Sequence, residues 1–101
     1  MRQAFAMTLK PGQEFTYKQK HDNIWPQLVD LFHEFGITNY SIFRAGIQLF
    51  GYLEIEDPTR LDELRREPLM HQWWEMMEPY MEYNQDHTPK QNMLLEVFHL
   101  D

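Results

Sequence analysis

Residues 37–55 read ITNYSIFRAGIQLFGYLEI. Two runs of β-branched and aromatic residues, Ile37 to Phe43 and Leu49 to Ile55, flank Ala45-Gly46, which predicts two strands joined by a short hairpin. On the first strand Tyr40 and Ile42 share one face, while Asn39, Ser41 and Phe43 share the other. Outside this stretch the period changes. Upstream, Ile24, Trp25, Leu28, Leu31, Phe32 and Phe35 recur at spacings of three and four, and Gly36 follows as a helix C-cap. Pro26 disfavours helical geometry at Trp25. The helical region therefore divides into a helix over residues 13–22, a break near Asp22-Asn23, and a second helix with Pro26 at its first position. Downstream, Asp57 reads as an N-cap with Pro58 behind it. Leu61, Leu64, Leu69, Trp73, Met76 and Met77 continue a helical region interrupted at Pro68. At the ends, Phe5, Met7 and Leu9 alternate as a half-buried strand over residues 3–9. A polar, irregular segment over residues 79–92 precedes a final strand expected from Met93 to Leu100.

The order is β-α-β-β-α-β, an α+β chain of the ferredoxin-like arrangement, with helices on one face of a four-stranded antiparallel sheet. Its 101 residues hold one domain and one hydrophobic core. The other sheet face also carries apolar side chains, and left in water it promotes association. A homodimer packed sheet against sheet, a dimeric α/β barrel, is the expected solution. The irregular 79–92 segment is long enough to suggest an arm exchanged between subunits.

Charge narrows the function. Nine Lys and Arg against sixteen Asp and Glu give a net charge of −7, which argues against binding nucleic acid or anionic lipid. With no cysteine, disulfide scaffolds, thiolate nucleophiles and cysteine-held zinc or iron–sulfur sites are excluded. The leading residues MRQAFAMTLKPGQ carry too short an apolar run for a secretory signal or a membrane span, so a cytoplasmic protein is expected.

The residues able to do chemistry are few. Tyr17 and His21 lie four apart and extend the stripe of Ile24 and Leu28, so both point at the sheet. A polar pair on that face needs hydrogen-bond partners, in the protein or in a ligand; a satisfied core pair is the plainer explanation. Trp73 and Trp74 diverge by ~100° on a helix, which suggests one in the core and the other left for a ligand or a partner chain. Indole faces suit the C–H surfaces of sugar rings, and interface packing accounts for them equally well. His33, His71, His87 and His99 show no metal-ligand spacing, and no phosphate loop or Gly-x-Ser-x-Gly motif is present. Three readings remain: a sugar enzyme, another enzyme on the same architecture (a small monooxygenase or haem-degrading protein with His21 or His71 on iron), and a non-catalytic sugar-binding domain.

Five blocks carry a resemblance: Tyr17-Lys-Gln-Lys-His21 with Ile24-Trp25-Pro26, then Gly36 to Ile42, Leu49-Phe-Gly-Tyr52, Trp73-Trp74, and Glu96-Val-Phe-His-Leu100. In this order, over nearly the whole chain, they resemble the L-rhamnose mutarotase family. The resemblance implies a dimeric ferredoxin-like isomerase that interconverts the α and β anomers of L-rhamnose without a cofactor or metal. It implies that His21 is the proton donor and that Tyr17, Tyr40, Trp73 and Trp74 bind the sugar. Thr16 and Lys20 depart from the Glu and Arg frequent in the family. The partner group in proton transfer stays open between a tyrosine hydroxyl, a water and a carboxylate such as Glu96.

Overall fold

In the computed structural model, which describes residues 1–101, the hairpin forms one side of the sheet. The elements are β1 (Arg2–Thr8), α1 (Glu14–Asp22), α2 (Pro26–Glu34), β2 (Ile37–Ala45), β3 (Gln48–Ile55), α3 (Leu61–Leu64), α4 (Pro68–Met77) and β4 (Asn92–Leu94), with single 3₁₀ turns at Pro58–Arg60 and Glu78–Tyr80. The strands pair antiparallel in the order β2-β3-β1-β4, the ferredoxin-like order.

Local chemistry explains the boundaries. Trp25 is extended at φ −63° and ψ 128°, as a residue before proline must be, and Pro26 opens α2. Gly36 leaves that helix at φ +78° and donates its N–H to the His33 carbonyl. Asp57 accepts from the Thr59 N–H at 3.0 Å, capping the turn that Pro58 begins. Pro68 does for α4 what Pro26 does for α2, with Glu67 extended before it.

The core lies between the sheet and the helices. Phe5, Met7 and Leu9 alternate inward from one end of the chain, and Leu49, Leu53 and Ile55 do so from β3. Leu28, Leu31 and Phe35 meet them from α2 and its end, and Met70 and Met77 from α4. One irregularity matters for the site. On β2, Thr38 pairs with Glu54 but Ser41 pairs with Tyr52, so Asn39 and Tyr40 both lie opposite Leu53 in a β-bulge. Asn39 takes a left-handed φ of +50°, which asparagine tolerates better than most residues, and its Nδ2 donates to Glu54 at 2.9 Å. Strict alternation from buried Ile37 would turn Tyr40 to the outer face. The extra residue turns it back toward the helices.

One expectation at the C-terminal end is corrected. The final strand does not run from Met93 to Leu100: β4 covers only Asn92–Leu94, facing Ala4–Ala6. Beyond it an Arg2–Glu96 pair at 2.7 Å holds the chain near β1, yet Leu95, Val97, Phe98 and Leu100 remain exposed. The 79–92 segment is tied to β1 at two points. It lies along its own chain, with a Leu9–Met81 bridge and the Glu82 N–H donating to the Thr8 carbonyl at 3.0 Å. These bonds continue the backbone pairing of β1 past its end.

The face of the sheet away from the helices is bare. Two cross-strand rows, Ser41–Tyr52–Ala4–Leu94 and Phe43–Phe50–Ala6–Asn92, run across it. Phe43, Phe50, Tyr52 and Leu94 are all exposed there. No helix is long and apolar enough to cross a membrane.

Candidate active site

A cavity of about 560 Å³ opens between the helices and the inner face of the sheet, within the ~300–1,000 Å³ usual for small-molecule sites. Tyr17, His21, Tyr40, Trp73 and Trp74 all line it. Residues 57 positions apart in sequence thus converge on one hollow.

On α1, the Tyr17 and His21 rings stack with centroids 4.2 Å apart, as their spacing of four requires. Tyr17 is buried and His21 half-buried. The His21 ring stands edge-on to Trp73 at 5.4 Å, and Trp73 in turn meets Trp25 at 5.1 Å. The extended geometry forced on Trp25 by Pro26 is what brings that indole to α4. His21 Nδ1 lies 3.0 Å from the Tyr17 carbonyl oxygen. A carbonyl only accepts, so Nδ1 carries the proton, and in the neutral ring Nε2 holds a lone pair with no partner in the protein. Burial lowers the His21 pKa below the ordinary 6.5; the bond to the Tyr17 carbonyl and the nearby Asp22 work in the opposite direction but less strongly.

Tyr40 sits against Phe32 of α2, with ring centroids 5.5 Å apart, and edge-on to Phe5 at 6.2 Å. It keeps 36% of its surface and lines the cavity. Burial raises the pKa of both Tyr17 and Tyr40, so the two phenols stay protonated. Neither hydroxyl is hydrogen-bonded within the protein, which leaves both able to donate to a ligand.

The tryptophan pair corrects the expectation that one indole packs while the other is left free. Trp73 and Trp74 are 6% and 7% exposed. They do diverge: Trp73 points to α1 and Trp25, while Trp74 meets His71 edge-on at 5.1 Å with the Arg65 guanidinium 5.3 Å from its ring. Both are nevertheless covered because α4 is flanked on two sides, and the cavity reaches both. His71 is exposed and does not line the cavity with His21. Glu96, paired with Arg2 at the chain's edge, lies outside it as well.

Two contributors escaped the reading of the sequence. Gly51 faces Ile42 and Phe5 in the sheet, and the Phe5 ring lies over it. A glycine inside a strand is a known mark of close approach, so the signal was present. Tyr83, the one aromatic residue between Tyr80 and Phe98, also lines the cavity; nothing periodic surrounds it to indicate where it faces.

Comparison with known proteins shows which family the chain falls in. A family model described as L-rhamnose mutarotase matches residues 2–100. An L-rhamnose mutarotase of Flavobacterium johnsoniae is 47% identical, covering 100% of this chain and 96% of that protein. One of Oceanobacillus iheyensis is 39% identical over 99% of this chain and 98% of its own length. The crystal structure of an L-rhamnose mutarotase from Formosa agariphila superposes with a TM-score of 0.93 at 33% identity, covering 100% of this chain and 99% of that one. Tetracenomycin F2 cyclase of Streptomyces glaucescens, a type-II polyketide cyclase, shares the fold at a TM-score of 0.64 and 19% identity. Matched over residues 2–100 by the family model and over its whole length by relatives and a solved member, the chain belongs to the L-rhamnose mutarotase family.

Proposed function

We propose that this protein is an isomerase that interconverts the α and β anomers of L-rhamnose, with His21 as the proton donor. The observation that carries the proposal is the unpartnered Nε2 of a half-buried imidazole on the wall of a ring-lined cavity. Ring opening needs a proton on the endocyclic oxygen and loss of one from the anomeric hydroxyl. The C1–C2 bond then turns, and closure runs the same transfers backwards. Both oxygens hang on one carbon, so one nitrogen can serve both. Neutral His21 takes the hydroxyl proton at Nε2, and the imidazolium so formed returns it to the ring oxygen. Its lowered pKa suits this use, since the loaded Nε2–H is then a stronger acid than an ordinary imidazolium.

Tyr17 and Tyr40 donate hydrogen bonds to the sugar, and the Trp73 and Trp74 indoles bear on its apolar C–H surface and 6-methyl group. No step calls for a cofactor. Saturation-transfer NMR on L-rhamnose tests the proposal: the protein is expected to accelerate exchange between the two anomeric signals, and an unchanged exchange rate rejects it. That result would favour the reading in which the same cavity binds a sugar without turning it over.

The assembly belongs to the same proposal: a homodimer packed through the bare sheet face, in a cytoplasmic enzyme. Phe43, 63% exposed, and Phe50, 43% exposed, face each other across β2 and β3 with Tyr52 and Leu94 beside them. Covering such a patch returns ~25 cal/mol for each Å² of apolar surface, and a second copy supplies a matching surface by symmetry. A chain without cysteine gains nothing from an oxidising compartment. Sedimentation equilibrium at micromolar concentration is expected to give twice the mass of one 12.4 kDa chain; a single-chain mass overturns the dimer and leaves the catalytic proposal standing.

A further inference from the structure

Tyr83 lies in the segment between α4 and β4, where the chain closes a small loop on itself. Tyr83 bridges Pro89, the Asn84 N–H donates to the Thr88 carbonyl at 2.8 Å, and Asp86 accepts from the Thr88 N–H at 3.1 Å. These bonds fix the loop that presents Tyr83 to the cavity. Its hydroxyl donates to the Trp74 carbonyl at 2.7 Å, tying the loop to the helix that carries both tryptophans. A phenol has one proton to give. With that proton committed to Trp74, the oxygen's remaining lone pairs can only accept.

We propose that Tyr83 is an additional sugar-binding residue, whose oxygen accepts a hydrogen bond from one hydroxyl of the bound pyranose while its own O–H anchors α4 at Trp74. The inference rests on the sugar-binding reading of the cavity and adds to it a direction of recognition. Tyr17 and Tyr40 have free hydroxyls and are able to donate; Tyr83 selects a ligand group that donates, so it discriminates a hydroxyl from an ether oxygen, a methyl or a hydrogen. Tyr83 and Tyr17 line the same cavity. An analogue without that hydroxyl forfeits the bond and leaves the Tyr83 oxygen with its Trp74 partner alone.

The test uses Tyr83→Phe, which keeps the ring and removes the oxygen. Binding is read by tryptophan fluorescence, since all three indoles lie in or against the cavity wall. L-Rhamnose and its 2-, 3- and 4-deoxy analogues are titrated into both proteins. Loss of one neutral hydrogen bond predicts a Kd for L-rhamnose about three- to tenfold weaker in the variant. For one of the three analogues, the variant and the unaltered protein are expected to bind equally, because the contact is already missing. In exchange NMR the variant should show a raised KM with little change in kcat. Equal affinity of both proteins for L-rhamnose overturns the inference. So does a uniform loss across all four sugars, which would reduce Tyr83 to a prop for Trp74. Binding is measured independently of turnover, so a protein that binds L-rhamnose with this discrimination but does not exchange its anomers rejects only the mutarotase reading.

Discussion

Replacing His21 with alanine is expected to slow exchange between the L-rhamnose anomers at least tenfold, and toward the ~10²–10⁴-fold that general acid–base catalysis contributes, with the fold intact. His21 is only half-buried and makes one hydrogen bond, to a backbone carbonyl, so its removal leaves no buried charge and no stranded side-chain partner. Saturation-transfer NMR reads the rate, and unchanged exchange removes His21 from the mechanism. A pH profile separates the imidazole's role from a packing effect. Because burial holds its pKa below 6.5, the neutral form that starts the cycle persists through neutral pH. kcat/KM should therefore hold its plateau at neutral pH and fall on the acid side, with a midpoint below 6.5, and the residual activity of His21→Ala should lack that limb. A fall toward alkaline pH around the histidine range would instead mean that the imidazolium starts the reaction. Thermal stability is a poorer witness. Lowered in the fold, the His21 pKa makes stability decline as pH drops below the unfolded value. His87, raised by its 2.8 Å contact with Glu78, contributes stability that is lost as pH rises through its folded value.

The sequence is most transparent where one residue type has one local consequence. Pro26 divided α1 from α2, Gly36 ended α2, and the alternation of Phe5, Met7 and Leu9 placed β1, because backbone restriction and period act within a few residues. Tyr17 and His21 were readable together for the same reason: a spacing of four on a helix is already a contact. Tyr40 was harder. Its inward face depends on one extra residue at Asn39, and the cue, a left-handed position filled by asparagine inside a strand, differs little from an ordinary polar strand position. The fate of Trp73 and Trp74 depended on what surrounds α4, and that includes a segment without period. The same segment hid Tyr83. Met93 to Leu100 reads as a strand throughout because Leu95, Val97, Phe98 and Leu100 are apolar, but strand pairing needs a neighbour, and β1 pairs with only three residues of it.

Replacing Gly51 with alanine is expected to destabilise the fold by about 1–3 kcal/mol, the range for an overpacked core, and to damage the sugar site without touching it. Gly51 lies in β3 opposite Phe5 on one side and Ile42 on the other. Its φ is not positive, so the backbone makes no demand for glycine; the demand is for space. A Cβ there would stand 2.3, 2.5 and 2.7 Å from Cζ, Cε2 and Cε1 of Phe5, inside the distances that real side chains adopt. The ring cannot swing out to solvent, being 5% exposed in the core. Its edge-on neighbour is Tyr40, so displacement of Phe5 is transmitted to a phenol proposed to hold the sugar. Thermal melts should show the loss at about 4–8 °C per kcal/mol for a domain of this size, and the Kd for L-rhamnose should rise in parallel. Phe5→Leu opens room for the new methyl. If the collision is the cause, Gly51→Ala should cost less in the Phe5→Leu background than alone, a coupling that a double-mutant cycle measures directly. Additive losses would mean that Phe5 yields without strain, and that the glycine serves some purpose other than seating the ring beneath Tyr40.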